Sequence, residues 1–536
     1  MTVGLNTLDG YGSFALEYSK NGGDWTSLTN AVTLNTGETV SFRGNNQAVF
    51  GNKFTCSGPC YIYGNVMSLL HAGDYATNYT FSEESAFTGL FYNNSNINIP
   101  TNKDLVLPAT TLANYCYFEM FKGCTGLTKT PELPATTMRF SCYLGMFSGC
   151  TGLTTVPADL LPTTTMTNAS AGCYQEMFYG CENLAAAPNL PATTLAMDCY
   201  RSMFYGCKSL TTAPELPATN LTPNCYYEMF YGCENLTTAP ALPAETLENQ
   251  CYYSMFRDCK SLTTAPTLPA PALVNRCYYS MFRDCIQLNS VTCLATSGIN
   301  QNNSTANWLY GVASSGTFTK ASGANVSTNN IGSGSTWPRS TSGIPSGWTV
   351  VSQAPAIPEG AINGLFSVST TKQVWFSKGN LQNNGTFATN QYDLGGTFTF
   401  NNYSGPSGYY TLSYPEWYYL LLTRGADKRG TATVNSVKGL LILPDNWTMP
   451  DGCSFDPSAT NNVYDVDQWA AMENAGAVFL PAAFVDICRY WSSTPDFEDD
   501  QFAFYINFNT QNPTAGFIYN DGISNSYSVR LVCNVE

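Results

Sequence analysis

Cys251-Tyr252-Tyr253-Ser254-Met255-Phe256-Arg257-Asp258-Cys259 is one of seven copies of a phrase, Cys-Tyr-x-x-Met-Phe-x-x-Cys. The others begin at Cys116, Cys142, Cys173, Cys199, Cys225 and Cys277. Successive starts are 26, 31, 26, 26, 26 and 26 residues apart, so one repeat holds a five-residue insertion near 161–168. Between the phrases runs a second one, seen as Ser261-Leu262-Thr263-Thr264-Ala265-Pro266-Thr267-Leu268-Pro269-Ala270. A fixed period of this length is the signature of a solenoid, in which each unit buries its apolar face only against its neighbours.

At about 100° per residue, Cys251, Met255 and Cys259 fall at roughly 0°, 40° and 80°, on one side of an expected short helix. Tyr252 and Tyr253 are expected to point away from that side. Leu262-Thr263-Thr264-Ala265 reads as a short extended rung ended by Pro266, and stacked rungs predict a small parallel sheet. These phrases resemble the leucine-rich repeats of BspA-type bacterial surface proteins, over about 81–350. Ala86-Phe87-Thr88-Gly89-Leu90-Phe91-Tyr92 looks like a degenerate first unit, and Ala306-Asn307-Trp308-Leu309-Tyr310-Gly311-Val312 like a closing one.

The expected fold class is multidomain, α+β to β-rich. Residues 1–80 read as a small β domain capping the repeats, 81–350 as the repeat array, 351–361 as a linker and 362–536 as a second recognisable domain. The chain has 536 residues, only 11% charged and 14% aromatic. Its net charge of −15 argues against nucleic acid and anionic lipid as partners, because both reward clustered Lys and Arg. No run of about 18 apolar residues exists, so no membrane-inserted helix is expected. Residues 1–6 carry neither a basic start nor an apolar stretch and do not read as a secretory signal. Either a leader was removed, or the protein reaches the outside as part of a phage particle.

There are 20 cysteines. The two in each phrase are eight residues apart, roughly 12 Å along a helix and too far for a bridge. Buried free thiols acting as small core residues are therefore preferred over disulfides for the repeat cysteines. Cys56 and Cys60, flanking Ser57-Gly58-Pro59, read as a tight-turn bridge or a simple pair of thiols. As a zinc site they lack a second ligand pair, and His71 is the only histidine.

In the last third, Ser413-Tyr414-Pro415-Glu416-Trp417 opens an amphipathic helix with a Ser cap and Pro. Val437-Lys438-Gly439-Leu440-Leu441-Ile442, Phe479-Leu480-Pro481-Ala482-Ala483, Tyr490-Trp491-Ser492-Ser493-Thr494 and Ser528-Val529-Arg530-Leu531-Val532 follow in order. This series resembles the C-type-lectin-fold domain of variable proteins diversified by retroelements, a fold shared with the formylglycine-generating family. The resemblance implies a rigid scaffold whose surface side chains are rewritten by adenine-directed mutation.

Carried over, the variable ligand-binding patch would be drawn from three segments. The first offers Phe484, Val485, Asp486 and Arg489; the second offers Asp496, Phe497 and Asp499, then Tyr505, Asn507 and Asn509. The third offers Phe517, Tyr519, Asp521, Ser524 and Ser526. Period-two alternation with Phe504, Ile506 and Phe508 predicts Tyr505, Asn507 and Asn509 outward. Exposed aromatics beside Asp, Asn and Ser are the chemistry of a paratope. The alternative for Phe484, Phe497 and Phe517 is that they are core residues of a β domain, a reading given less weight than exposure. Asp496, Glu498, Asp499 and Asp500 could form a calcium loop, but the calcium phrases of sugar-binding lectins are absent and a solvated acidic turn is preferred. Cys488 lacks the partner cysteine that an oxidising role would need.

With no Ser-His-Asp set, phosphate loop or paired-carboxylate cleft, no enzyme, no cofactor and no metal site are expected. The resemblances imply an extracellular adhesin, a phage tail receptor-binding protein recognising a bacterial surface. The alternative is a bacterial cell-surface adhesin binding host, glycan or neighbouring-cell ligands, and a further one is a purely structural surface protein.

Overall fold

In a computed structural model, all residues are described except 8–14, 50, 323, 328–333, 335, 342, 354–356, 446, 483–486, 497, 498, 500, 510–517 and 536. The side chains of Asn6, Thr7, Asn509 and Ile518 are also left aside. The chain is mostly strands, bridges and turns, with few short helices and no closed barrel among the described residues. It divides into two units, Met1–Gln353 and Ala354–Glu536.

The first unit is ruled by hydrogen bonds between successive repeats. Tyr252, Ser254, Phe256 and Asp258 donate their N–H groups to the carbonyls of Cys277, Tyr279, Met281 and Arg283 in the next repeat. The residues between them, Tyr253, Met255, Arg257 and Cys259, donate back to Gln250, Tyr252, Ser254 and Phe256 in their own. Every N–H from 252 to 259 thus finds a carbonyl, as burial demands. The same pattern ties Phe87 and Phe91 to Cys116 and Met120 at one end, and Phe282 to Trp308 at the other.

This is not the helix expected from the sequence. Gln250, Ser254 and Asp258 carry φ of 56°, 49° and 59°, so a left-handed residue recurs every fourth position and breaks any α-helix. Repeating after four residues turns two neighbouring rows inward. Cys251, Met255 and Cys259 are buried as expected, but so are Tyr252 and Phe256; of the two tyrosines, Tyr253 alone faces out. The inward rings form two ladders. Tyr117, Tyr143, Tyr174, Tyr200, Tyr226, Tyr252 and Tyr278 stack with centroids 5.6–6.0 Å apart. Phe91, Phe121, Phe147, Phe178, Phe204, Phe230, Phe256 and Phe282 stack at 5.3–5.7 Å. Such parallel-displaced rings combine area burial with favourable quadrupole geometry.

All fourteen phrase cysteines are buried free thiols. The second of each phrase donates its S–H to the Phe carbonyl of the preceding repeat, as Cys233 does to Phe204 at 3.1 Å and Cys259 to Phe230 at 3.1 Å. Burial pushes the Cys142, Cys225 and Cys277 thiols up to about 12, so they stay protonated and apolar.

The expected parallel sheet of rungs is reduced to single bridges, such as Thr212 with Thr238 and Thr264 with Ser290. Pro266 and Pro269 supply no N–H and cannot extend a ladder. A three-stranded parallel sheet forms past the last phrase, where Gly316–Lys320 lies between Ser290–Cys293 and Trp348–Ser352. Trp308, Trp337 and Phe318 pack there as an aromatic plug.

The described residues of 1–80 form no separate core. Val3, Leu16, Val49 and Phe54 belong to the same apolar cluster as the repeats, which runs on to Trp348. Val49 and Phe54 donate to the Ala86 and Leu90 carbonyls, and Cys60–Tyr61 pairs parallel with Ile97–Asn98. An alternating pattern announces strands but not that they share the apolar cluster of the repeats they cover.

In the second unit, Gln373–Phe376 lies between Phe366–Ser367 and Val532–Asn534, joining the two ends of the unit. A four-stranded sheet runs Asn462–Tyr464, Arg429–Val434, Val437–Ile442, Val478–Pro481. The helix Tyr414–Tyr418 begins with Ser413 and Glu416 capping each other's backbone, and buries Trp417. A second helix, Val466–Asn474, which the sequence reading did not anticipate, starts at an Asp465–Gln468 box. The five-stranded sheet consists of β1 (Thr397–Phe398), β2 (Ile487–Pro495), β3 (Phe502–Asn509), β4 (Ile518–Gly522) and β5 (Tyr527–Ser528), in the spatial order β1-β5-β2-β3-β4.

At the centre of this unit lies Arg530, fully buried. It donates to Gln391 Oε1 at 2.7 Å and to Asn380 Oδ1 at 3.4 Å. Asn380 in turn donates to the Tyr490 hydroxyl at 2.9 Å, and Gln391 to Glu473 Oε1 at 2.9 Å. Burial pushes the guanidinium down to about 10, still well above neutrality.

Candidate binding surface

Strand register decides which side chains share a face. Arg489 on β2 lies opposite Asn507 on β3, Trp491 opposite Tyr505, Tyr505 opposite Tyr519 on β4, and Ala503 opposite Asp521. Directly opposed residues point the same way. Five of the side chains read from the sequence (Arg489, Tyr505, Asn507, Tyr519 and Asp521) therefore stand on one face of one sheet. The other face carries Cys488, Tyr490, Ile506 and Phe508, all in the unit's main core.

The shared face is open only in part. Tyr519 is 46% exposed, and Arg489, Asn507 and Asp521 are half-buried. Tyr505 is 6% exposed, which corrects its expected outward position. It packs with Trp491, Tyr527, Leu381, Val529 and Leu531, while Phe387, Phe398, Phe400 and Tyr403 close over them. Alternation showed that Tyr505 lies on the face opposite Ile506, but not that a second apolar layer covers that end of it. Phe504, expected inward, is half-buried against the Tyr414 ring at 4.7 Å.

Tyr527, which the sequence reading passed over, organises the polar part. Its hydroxyl donates to Asp521 Oδ2 and receives Arg489 Nη1 at 3.4 Å. The Arg489 guanidinium lies 5.4 Å from the Tyr527 ring centroid and 5.7 Å from that of Tyr505. Asp521 Oδ1 also accepts from Asn525 at 2.7 Å and from the Gly522 N–H at 2.8 Å. Burial opposes the charge on Asp521, but these hydrogen bonds outweigh it and hold the carboxyl below its usual range. Burial and the Asp521 carboxylate push the Tyr527 phenol up, and burial does the same to Tyr505. The signal for Tyr527 was present: it directly precedes Ser528-Val529-Arg530-Leu531-Val532.

Around this centre, Asp496 accepts from Asn520 at 2.5 Å and is half-buried. Asp499, Ser524 and Ser526 are exposed. Asn507 Oδ1 is buried and meets no hydrogen-bond donor among the described residues. Phe484, Val485, Asp486, Phe497 and Phe517 lie outside the described residues, as does the Asn509 side chain.

Among the described residues no group of three or more His, Cys, Asp or Glu side chains is placed to hold a metal ion. Cys60 donates to Cys56 Sγ at 2.6 Å, which lowers the Cys56 thiol to about 7, while His71 Nε2 contacts the Thr80 carbonyl instead. No described helix is long and apolar enough to cross a membrane. Comparison with known protein families, with curated proteins and with solved structures gave no match.

Proposed function

We propose that this is a non-enzymatic, extracellular binding protein, in which a solenoid of BspA-type leucine-rich repeats is joined to a recognition domain of C-type-lectin fold. The surface for ligand is the open part of the five-stranded sheet, with its side chains diversifiable by a retroelement. The carrier that fits best is a phage tail, where the protein would recognise a bacterial surface receptor, protein or glycan. The observation that supports this reading is the register that puts Arg489, Tyr519 and Asp521 on one face of the sheet, with Tyr505 packed between them and the Tyr527 hydroxyl joining Arg489 to Asp521. Large aromatics and Arg beside small polar groups bind with little loss of side-chain freedom.

The burial of Tyr505 favours a narrower patch than sequence alone suggested, with this ring as support rather than contact. The test is binding of the labelled full chain to intact bacterial cells and to arrays of surface glycans and proteins. A triple Arg489→Ala, Tyr519→Ala, Asp521→Ala variant should lose whatever binding the parent has. Parent-level binding by the variant, or none by the parent, would leave a structural surface role in its place. Diversification is checked in the neighbouring DNA: a near-copy of the segment coding for about 484–532, differing at adenines and beside a reverse transcriptase.

A further inference from the structure

The outward positions of the repeats carry two rows of their own. The third residue of each phrase gives Gln175, Arg201, Tyr227, Tyr253 and Tyr279; the seventh gives Tyr179, Tyr205, Tyr231, Arg257 and Arg283. Tyr179, Tyr205 and Tyr231 stack with centroids 4.5 Å apart, and Tyr227, Tyr253 and Tyr279 at 4.5 and 4.7 Å. Arg201 lies 4.6 Å over the Tyr227 ring and Arg257 5.0 Å over Tyr231.

The fold does not require these residues. The two preceding phrases hold Phe118 and Leu144 in the first row and Lys122 and Ser148 in the second, on the same backbone. Tyr and Arg are the types that dominate binding energy at protein interfaces. Their ring faces are already stacked on one another, so a flat sugar ring has no open aromatic face here and a protein surface suits the rows better. Each Arg has an acid nearby: Asp198 at 3.4 Å from Arg201, Asp258 at 3.5 Å from Arg257, Asp284 at 3.2 Å from Arg283.

The order along the rows is self-complementary. We propose that two copies of this chain associate antiparallel through this face, about a two-fold axis at the phrase beginning at Cys225. An axis there sets each row against itself in reverse, the isologous arrangement of a closed dimer. Arg257 then meets Tyr205 of the second copy, Arg283 meets Tyr179, and Arg201 meets Tyr253. No Arg meets an Arg, and Tyr231 and Tyr227 meet their own counterparts. Reversal about the phrase beginning at Cys199 would instead oppose Arg257 to Ser148 and Arg283 to Lys122, and reversal about the one beginning at Cys251 would oppose Arg257 to itself. The one like-on-like acidic contact is Glu228 against itself, where burial already favours the neutral carboxyl over the opposing pull of Arg201 and Arg257.

Sedimentation velocity on the full chain is the test. The parent should sediment at twice the chain's mass at micromolar concentration. Tyr205→Arg opposes Arg to Arg257 and should weaken association at least tenfold. The double variant Tyr205→Arg, Arg257→Tyr exchanges the partners within each pair and should restore it. A bis-maleimide should yield a covalent dimer from Tyr231→Cys and none from Tyr179→Cys. A monomeric parent at about 100 μM overturns the proposal. So does a double variant that stays monomeric while its circular dichroism matches the parent, or a Tyr205→Arg chain that remains dimeric.

Discussion

The two units solve the same problem in opposite ways. In the repeats, one set of side chains is used over and over: a thiol, a Met, a Tyr and a Phe recur in rows, and each repeat meets only its neighbours. In the C-terminal unit no position is used twice, and a single buried Arg530 ties Asn380, Gln391 and, through them, Tyr490 and Glu473 into one network. The repeat array spreads its stability over many equivalent contacts; the C-terminal unit concentrates it.

This contrast can be broken most directly at Arg530. Arg530→Ala strands Asn380 Oδ1 in the interior, leaves Gln391 Oε1 with the Phe479 N–H alone and opens a cavity, and should cost about 3–5 kcal/mol. Calorimetry should show the transition of the C-terminal unit falling while that of the repeats stays put; a joint fall of both would erase the distinction. Next comes the covered end of the sheet. Tyr505→Ala opens a cavity among Trp491, Tyr527 and Leu381 and should cost about 3 kcal/mol in the same transition. Tyr519→Ala at the open end should stay within about 0.5 kcal/mol. Equal losses at the two would mean that both rings are core.

A smaller effect separates equivalent repeats. Gly232 holds φ of 71°, and a Cβ there would meet only ordinary contacts at 3.7 Å, so Gly232→Ala isolates the cost of a left-handed residue, about 1 kcal/mol. Asp258 occupies the matching place one repeat on at φ 59°, and Asp258→Gly should change stability little or raise it by a few tenths. Chemical denaturation of the pair measures the difference, and a loss at Asp258→Gly would point to its contact with Arg257 instead. The smallest expected effect is with pH. Asp521 is held below its ordinary carboxyl value of about 3.9, so its hydrogen bonds stabilise the sheet face above that value. Their contribution disappears as pH falls through the lowered value. Tyr527 fluorescence or amide exchange near Gly522 should therefore be unchanged from pH 7 to 5 and loosen only in stronger acid.

Much of this was legible in the chain. The repeat announces its own period, and Cys251, Met255 and Cys259 follow from it as inward residues. The phrases of the last third fix where strands lie, and alternation along β3 assigns Ile506 and Phe508 to the core. Two kinds of information were missing. A helical period of 3.6 and a turn period of four differ little across nine residues, so the left-handed positions, and with them the inward Tyr252, could not be told from a helix. The covering of Tyr505 by residues a hundred positions earlier, Phe398 and Phe400 among them, leaves no local trace in β3.

By itself, then, the sequence determined the repeat length, the inward thiols and the face to which each strand residue belongs, because those depend on spacing along the chain. Only the tertiary structure decided that residues 1–80 share the repeats' core, that rungs ending in proline stop at single bridges, and that the sheet face is sealed at Tyr505 and open at Tyr519. Those outcomes depend on which distant segment lies across a surface, and burial is a property of the pair rather than of either strand alone.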